Sequence, residues 1–447
     1  MKLIRTSGRN ARAATDTLAA LERRGGAALD GVLPAVQRIV ADVRRSGDRA
    51  LLRYAKKFDG AAGPGKTATS LRVSPQEMAA AWQQTDPALR ASLTTAADQI
   101  RRFAKKQMPK SWEASPVSGL STGQLVRPLS SVGCYVPSGR HPLPSTLLMT
   151  AIPAQVAGVE RIVAVSPRPA LETLAAAHLL GITEFYRLGG AHAVAALAYG
   201  TETLPRVDKI VGPGNLYVTA AKRLVAFDCA IDMLAGPTEI VVTSERGNAA
   251  GIAGDLAAQA EHDPEALAIF VTTREDLARA VISETKLRSR DNPVAREALE
   301  RNGVIIVAAS LAEARSITNL LAPEHLTVDA PGDLKWVENA GSVFVGRWSA
   351  QPMGDYISGP NHTLPTGGMA RVRGGLSVND FVKLITVQEY TAQGVRALGP
   401  KAVLLAEAEG LTGHAEAIRV RLQPTSGQAR LGPQGTKRKR MQRRERG

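Results

Sequence analysis

Four of the seven histidines lie in polar segments broken by turn residues, where side chains are free to do chemistry. They are His262 in AQAEHDPEA, His325 in LLAPEHLTVDAP, His362 in MGDYISGPNHTLPTGG and His414 in EAEGLTGHAEAI. Gln259 and His262 are three residues apart, so they would share one face of a helix. The pair is either half of a metal site or the polar edge of an amphipathic helix, and spacing alone favours the edge.

A metal site in this chain would need nitrogen and oxygen ligands. The two cysteines, Cys134 and Cys229, have no CxxC partner, which excludes a structural zinc site built on thiolates. Imidazole nitrogens and carboxylate or amide oxygens also suit zinc. Such a set could come from four side chains: Gln259, His262, Asp355 and His414. Because they are scattered over the second half of the chain, only the fold can bring them together.

The dipeptide Glu324-His325 places a carboxylate beside an imidazole, directly after Pro323. Both groups can be tuned towards neutral pH, so the pair suits proton transfer. The proline and the polar neighbours predict a loop. An exposed loop dipeptide without function therefore remains the alternative, and taken in isolation it is favoured.

Glycines follow two predicted strands, in RLGGAHAV and in IVGPGNLY. Glycine at such a junction lets the backbone approach a phosphate, and the helix N-terminus that follows favours negative charge. The dinucleotide fingerprint GxGxxG is absent, since Gly212 and Gly214 supply only its first two glycines. Nucleotide binding and plain turn glycines are about equally supported by the pattern.

The elements that must position these residues alternate between strand and helix from residue 125 onwards. A first block has the strand-like runs SSVGCYVP, RIVAVSP, EFYRLGG and DKIVGPG, and a second has EIVVTSE, LAIFVTT, GVIIVAA and SVFVG, each run except the last followed by a helical one. This alternation predicts two parallel sheets covered by helices. Helices are predicted over 13–60 and 75–108, the latter broken at Asp86-Pro87, and again after 376.

Composition bounds the class of protein. No apolar run is long enough for a membrane span, and the N-terminus lacks the apolar core of a secretory signal. Two cysteines cannot build a disulfide framework in a chain of this length, so we expect a reducing, cytoplasmic compartment. The segment 13–24 favours a first amphipathic helix over an organelle transit peptide. The net charge is +15, but the last eleven residues, KRKRMQRRERG, hold seven basic residues and one acidic. The segment 425–447 is predicted to be a disordered basic tail that binds polyanions weakly if at all.

Taken together, the motifs resemble those of the histidinol dehydrogenase family. The resemblance is carried, in order, by SVGCYVPSGRHPLPSTLLMTAIPAQVAG, GGAHAVAALAYGTETLPRVDKIVGPGN, AIDMLAGPTEIVV, AQAEHDPEA, APEHLTV, MGDYISGPNHTLPT and EGLTGHAEAIRVRL. It covers roughly residues 30–422. It implies a zinc-dependent, NAD-linked oxidation of L-histidinol through L-histidinal to L-histidine, with two NAD molecules used in succession.

The resemblance also implies a role for particular residues. The zinc ligands would be Gln259, His262, Asp355 and His414. Glu324 and His325 would form the acid–base pair, in which His325 takes the hydroxyl proton and Glu324 activates the water of the second oxidation. NAD would be contacted by Tyr135, His192 and Asn215. Substrate would be contacted by Thr238, Gln259, His262, His325, Asp355, His362, Glu409 and His414.

Two residues depart from the family pattern. His192 replaces the usual glutamine of GGAQA, at an NAD-contacting position, and we expect altered cofactor affinity rather than lost activity. Thr238 replaces the usual serine of AGPSE and keeps the hydroxyl group. The basic tail has no counterpart in the family.

The expected fold class is α/β, with two Rossmann-like parallel-sheet domains, helical terminal segments and an intertwined dimer. We predict an N-terminal helical segment (1–24), a discontinuous first α/β domain (25–133 and 234–377), a second α/β domain (134–233), a C-terminal helical segment (378–424) and the tail (425–447). The C-terminal helices are too few to bury a core of their own. In the family they reach into the other subunit, which would place Glu409 and His414 in the site of a second copy.

Two rival functions are kept. A related zinc dehydrogenase could act on another polar alcohol, such as a sulfonated diol, with Arg140 and His141 as cationic contacts; Glu409 would repel such a substrate. A nucleic-acid-binding protein would use the positive charge directly. Deleting 437–447 separates the two classes, because a binding module would lose its affinity for nucleic acid and an enzyme would keep its turnover.

Overall fold

The computed structural model describes residues 1–8, 11–25, 29–60, 67–138 and 142–423. Two compact units can be separated. The large unit comprises Met1–Pro109 and Arg127–Lys383, and the small unit comprises Lys110–Val126 and the chain from Leu384 onwards. The predicted tail 425–447 and the pair Arg140-His141 lie outside the described residues.

The elements follow one another in an order dominated by strand–helix alternation. The strands are β1 (Lys2–Arg5), β2 (Arg72–Val73), β3 (Trp112–Val117), β4 (Leu120–Pro128), β5 (Ser131–Tyr135), β6 (Arg161–Val165), β7 (Glu184–Tyr186), β8 (Lys209–Val211), β9 (Ala230–Ile231), β10 (Glu239–Thr243), β11 (Leu267–Thr272), β12 (Val304–Val307), β13 (His325–Val328), β14 (Ser342–Val345) and β15 (Val382–Tyr390). The helices are α1 (Ala11–Glu22), α2 (Leu33–Phe58), α3 (Pro75–Gln84), α4 (Pro87–Gln107), α5 (Pro144–Ala157), α6 (Leu171–Leu179), α7 (Gly190–Tyr199), α8 (Leu216–Val225), α9 (Ala249–Ala260), α10 (Glu275–Arg288), α11 (Pro293–Arg301), α12 (Leu311–Leu321), α13 (Gln351–Tyr356), α14 (Ala392–Ala408) and α15 (Thr412–Leu422).

Sheet 1 of the large unit has the strand order β1-β12-β11-β10-β13-β14, and all its strands are parallel. The chain moves outward from β10 through β11 to β12, then returns to the other side of β10 with β13. This reversal between β10 and β13 is the switch point of a doubly wound sheet. The strands are nearly all apolar because helices cover both faces.

Sheet 2 has the order β2-β7-β6-β5-β8-β9, and its switch point lies between β5 and β8. The α/β prediction is confirmed, with one correction: β2 pairs antiparallel with β7, so sheet 2 is mixed rather than purely parallel. Helices α2, α3 and α4 share buried cores with this sheet. The predicted domain division places the helical region within 25–133 together with 234–377 instead. The boundaries of that division stay a prediction.

The predicted break at Asp86-Pro87 is confirmed, and its cause is local. Asp86 lies between α3 and α4 and is the N-cap residue of α4. Its Oδ1 accepts hydrogen bonds from the backbone amides of Ala88 (2.8 Å) and Leu89. Pro87 takes the first position of α4, where a missing N–H costs nothing.

Two segments differ from the predicted elements. Lys2–Arg5 is a strand rather than helix, and it adds an edge to sheet 1 beside β12. Val382–Tyr390 is also a strand, β15, which joins β4 and β3 in a three-stranded sheet of the small unit. The run VKLITVQEY is rich in β-branched residues, and that preference outweighed the helical spacing. In the small unit α14 packs against α15. No helix within the described residues is long and apolar enough to cross a membrane.

Candidate active site

A cluster of buried polar side chains lies at the amino ends of β10 and β13, which are neighbours in sheet 1. Ile240 is paired with His325, so Thr238 and Glu239 come next to Glu324. The prediction of an exposed loop is wrong here. Glu324 is 6% exposed and His325, the first residue of β13, is 3% exposed. Burial of a carboxylate beside an imidazole strengthens the acid–base interpretation.

Glu324 is held by two hydrogen bonds to one carboxylate oxygen. The Thr238 hydroxyl and the Glu239 amide both donate to its Oε2, each at 2.7 Å. Burial raises the pKa of Glu324 to about 7, although His325 and the two hydrogen bonds act in the opposite direction. The chain enters this position through Ala322, whose φ of 44° lies in the left-handed region. Glu324 can therefore exchange a proton near neutral pH.

His325 is oriented by its backbone neighbours. Its Nδ1 lies 3.1 Å from the Glu239 carbonyl oxygen, which assigns the proton to Nδ1 in the neutral ring. Its Nε2 is buried without a hydrogen-bond partner, at 3.5 Å from Oδ1 of Asp355. Burial alone would lower the pKa of His325, but the Glu324 and Asp355 carboxylates outweigh it and raise the pKa. The free Nε2 is the atom that could accept a substrate proton.

Gln259 ends the buried face of α9, following Ile252 and Leu256. It is fully buried, and its Nε2 donates to the Thr238 hydroxyl, which links α9 to the Glu324 cluster. Its Oε1 is buried with no hydrogen-bond partner. A buried amide oxygen without a hydrogen-bond partner, in a polar site, is suited to bind a metal ion.

Asp355 reaches the cluster from the short helix α13. Its Oδ2 accepts a hydrogen bond from the side-chain Nε2 of Gln351 at 2.8 Å. The backbone amide of Gln351 donates at 3.2 Å to Oδ1 of Asp255, which lies one turn before Gln259 on α9. Burial would raise the pKa of Asp355, but its contact with His325 lowers it. Asp255 and Gln351 thus hold α13, which carries Asp355, against α9.

His362 connects the cluster to the other sheet of the large unit. Its Nδ1 lies 2.9 Å from the Asp355 carbonyl oxygen, and its Nε2 lies 3.4 Å from the Thr146 hydroxyl at the start of α5. Burial lowers the pKa of His362, against the pull of the Asp355 carboxylate. The ring is therefore neutral at physiological pH.

The remaining zinc candidates are more exposed. His262 follows α9 on the surface, with its amide donating to the Gln259 carbonyl at 3.4 Å. Glu409 and His414 belong to the small unit, where Glu409 ends α14 and His414 lies in the first turn of α15, both exposed. In the described ranges no three His, Cys, Asp or Glu side chains form a metal cluster on their own. The donor set on the large unit still fits zinc: it comprises the unpartnered amide oxygen of Gln259, the half-buried carboxylate of Asp355 and the imidazole of His262, close to Gln259 in sequence.

The predicted NAD residues lie at the carboxyl ends of sheet 2. Tyr135 ends β5, is 4% exposed, and accepts the Gly190 amide on its hydroxyl at 3.0 Å. Burial raises the pKa of Tyr135 to about 12. Asn215 is exposed and caps α8, with Oδ1 accepting the amides of Tyr217 and Val218. These two residues lie at the β5/β8 switch point, where doubly wound sheets bind their ligands.

His192 points away from solvent. It is 1% exposed, and its Nε2 lies 2.7 Å from Oδ2 of Asp59, which also accepts the Gly189 amide at 3.0 Å. Rings of Tyr54 and Phe58 flank the imidazole. His192 and Asp59 therefore support the Gly189-Gly190 turn from behind. Contact of His192 with NAD stays a prediction.

A family model described as histidinol dehydrogenase matches residues 22–422. The chain belongs to the histidinol dehydrogenase family. It is 46% identical over 408 residues to histidinol dehydrogenase of Methanothermobacter thermautotrophicus, covering 88% of this chain and 94% of that protein. It is 47% identical over 401 residues to that of Geobacillus kaustophilus, covering 87% and 93%. A crystal structure of histidinol dehydrogenase from Elizabethkingia anophelis matches it with a TM-score of 0.87 and 35% identity, covering 94% of this chain and 98% of that one.

Histidinol dehydrogenases are NAD-dependent oxidoreductases of histidine biosynthesis, and the family uses zinc as well as NAD. This membership confirms the resemblance found in the motifs. The individual site residues rest on their match to the motifs and on the geometry described above.

Several residues that support the Glu324–His325 cluster were not found from the sequence. Arg24 forms a two-pronged ion pair with Glu239, with both contacts at 2.7 Å, and so neutralises a carboxylate next to Glu324. A charged residue opening the apolar strand EIVVT could have drawn attention to Glu239. Asp255 lies four residues before Gln259, the spacing of a shared helix face, and could have been found in that way. Nothing in the sequence pointed to Asp59 or Gln351.

Asp255→Asn is expected to stabilise the metal-free protein more at about pH 8 than at about pH 5. Burial raises the pKa of Asp255 from 3.8 to about 6, so the folded state binds more protons than the unfolded chain between these values. Stability is therefore lost as the pH rises through that window. The gain at pH 8 should be about 1–2 kcal/mol after allowing for partial solvent exposure. Urea unfolding at both pH values measures it, and an equal change at both would contradict the explanation.

His192→Gln is expected to lower the Kd for NAD by about three- to tenfold, because a glutamine amide is not committed to Asp59 as the imidazole is. Calorimetric titration with NAD measures the change. His178→Gln, on the exposed side of α6, is the matched control and should leave the affinity as it is. An affinity of His192→Gln equal to the parent's would contradict the prediction.

Proposed function

We propose that this chain oxidises L-histidinol through L-histidinal to L-histidine, using two NAD molecules in succession and one zinc ion. The observation that carries the proposal is the buried Glu324–His325 pair, in which Nε2 of His325 is free and the Glu324 pKa is raised to about 7. Each oxidation needs a base near neutral pH, and the cluster offers two.

The zinc ligands would be Gln259, His262 and Asp355, with His414 supplied by a second copy of the chain. Zinc would anchor and orient the imidazole and amine of the substrate, and NAD would accept the hydride in each step. The orphaned Oε1 of Gln259 supports this assignment on the large unit. Gln351 and Asp255 would keep Asp355 in its place.

His325 would take the hydroxyl proton on Nε2, while Nδ1–H stays bonded to the Glu239 carbonyl oxygen. The two carboxylates next to the ring stabilise the imidazolium that forms. In the second oxidation Glu324 would remove a proton from the water that adds to the aldehyde. Thr238, which donates to Glu324, would contact the substrate. So would His362, whose ring lies against the Asp355 carbonyl oxygen.

The proposed assembly is a homodimer with shared sites. Glu409 and His414 are exposed on the small unit, and Glu409 would pair with the substrate ammonium or hold its imidazole. Leu404 and Leu405 on α14 are 67% and 68% exposed, which is the apolar surface that a second copy would cover.

NAD would be bound by Tyr135, His192 and Asn215. We propose the cytoplasm as the compartment, where the two buried thiols stay reduced.

The test is NADH formation on addition of L-histidinol, with and without a chelator, while NADH is counted per substrate consumed. The expected result is about two NADH per histidinol, abolished by chelation and restored by zinc. One NADH per substrate would contradict the role of Glu324. No NADH from zinc-loaded, folded protein would overturn the proposal and favour another polar alcohol as the substrate.

A further inference from the structure

A buried ion pair lies behind the glycine turn that follows β8. Lys222 of α8 is 3% exposed and Asp232 is 6% exposed, and their charged atoms are 2.6 Å apart. Neither residue belongs to the roles described above. Taking two charges out of water is costly, so a pair like this is stable only if further hydrogen bonds satisfy it.

Both partners bond the backbone of the same residue, Gly212. The Lys222 ammonium donates to the Gly212 carbonyl oxygen at 2.5 Å, and the Asp232 carboxylate accepts the Gly212 amide at 2.7 Å. Asp232 also accepts the amide of Met233 at 2.6 Å. Helix α8 and the segment after β9 therefore hold the Gly212 backbone from two sides.

Gly212 lies directly on Tyr135. Its φ of 111° is in the left-handed region, and a Cβ at this position would lie 2.2 Å from the Tyr135 carbonyl oxygen. Only glycine fits such an approach. The turn that Lys222 and Asp232 hold thus sets the spacing between the end of β5 and the start of α8, where Asn215 forms the cap.

We propose that Lys222 and Asp232 are positioning residues for NAD, which hold the Gly212–Asn215 turn in its binding form before the cofactor arrives. The inference rests on the proposed function. The pair touches neither Glu324 nor His325, and its opposite charges cancel, so its effect would be on cofactor affinity rather than on the rate with NAD bound. Ordering a binding turn in advance lowers the entropic cost of binding.

The experiment compares Lys222→Met/Asp232→Leu with the parent protein by calorimetric titration with NAD. An apolar pair of similar volume often preserves stability, so this variant separates turn positioning from folding. We expect the Kd for NAD to rise at least about tenfold, with kcat at saturating NAD within about twofold of the parent. The single variant Lys222→Arg should bind NAD more tightly than the double variant does, because its guanidinium can still donate to the Gly212 carbonyl oxygen.

Lys209→Met is the matched control. Lys209 lies on β8, three residues before Gly212, and its ammonium bonds Asp380 instead of the turn. Its loss should leave the Kd for NAD unchanged. If the double variant does not fold, the isosteric Asp232→Asn serves as the second test and should weaken NAD binding by about threefold or more. An unchanged Kd in either folded variant overturns the inference, as does a fall in kcat with Kd unchanged. A parent protein that binds no NAD would overturn the proposed function as well.

Discussion

His325→Asn is expected to lower kcat for histidinol by about 10²–10⁴-fold, the usual contribution of a positioned general base. The asparagine amide can replace Nδ1–H as the donor to the Glu239 carbonyl, so the strand start should keep its structure. What disappears is the free Nε2 near Asp355. Steady-state rates of NADH formation from histidinol measure the loss.

The pH profile gives the same prediction a second readout. In the parent the rate should fall at low pH as His325 takes a proton, and its raised pKa places that fall above the ordinary histidine value. The variant should lose this limb of the profile. His178→Asn, an exposed histidine on α6, is the control and should keep the parent's rate. A His325→Asn enzyme that keeps both its rate and its acid limb would remove His325 from the mechanism.

Glu324→Gln is expected to separate the two oxidations. With histidinal as the substrate, kcat should fall by about 10²–10⁴-fold, because the amide cannot take a proton from water. Oxidation of histidinol should fall less, so the first turnover should give about one NADH per substrate instead of about two. The parent's second step should rise with pH through about 7, where Glu324 loses its proton, and the variant should show no such rise.

Glu245→Gln is the matched control for this experiment. Glu245 follows β10 at the carboxyl ends of the strands of sheet 1, opposite to the amino ends where Glu324 lies. It also accepts a backbone amide, from Thr273 at 2.7 Å, so the substitution perturbs a similar carboxylate. It should leave both oxidations unchanged. If Glu324→Gln still forms two NADH per histidinol at the parent's rate, another group activates the water.

The alternation of strand and helix could be predicted from the sequence because most strands of the two sheets are short apolar runs followed by a helix. Strands without that signature were missed. Lys2–Arg5 is four residues long, and β15 has eight of its nine residues exposed, so neither shows a buried pattern. Lys2–Arg5 is a strand because it pairs with β12, and in β15 the β-branched residues act together with the pairing to β4.

The active-site cluster shows a different limit. Spacing suggested that Gln259 and His262 form a pair and that Glu324-His325 is an acid–base group, but a proline and polar neighbours made the dipeptide resemble an exposed loop. Burial of Glu324 depends on Thr238 and Glu239, which are far away in sequence and adjacent only because β10 and β13 pair. Long-range pairing of this kind leaves no local trace. The resemblance to a family supplied the roles of these residues instead.

The cluster lies at the amino ends of its strands, which has an electrostatic consequence. The helices on a parallel sheet run antiparallel to the strands, so α9 and α12 direct their carboxyl ends to this edge, just before His262 and Glu324. Partial negative charge collects at a helix carboxyl end. The site therefore favours a cation or an ammonium-bearing alcohol and disfavours a phosphorylated or sulfonated one. At the carboxyl ends of the strands of sheet 2, α7 and α8 direct their amino ends outward, which suits the anionic phosphates of the cofactor proposed to bind there. In the proposed function, the two ligands would thus be separated by the sign of their charge.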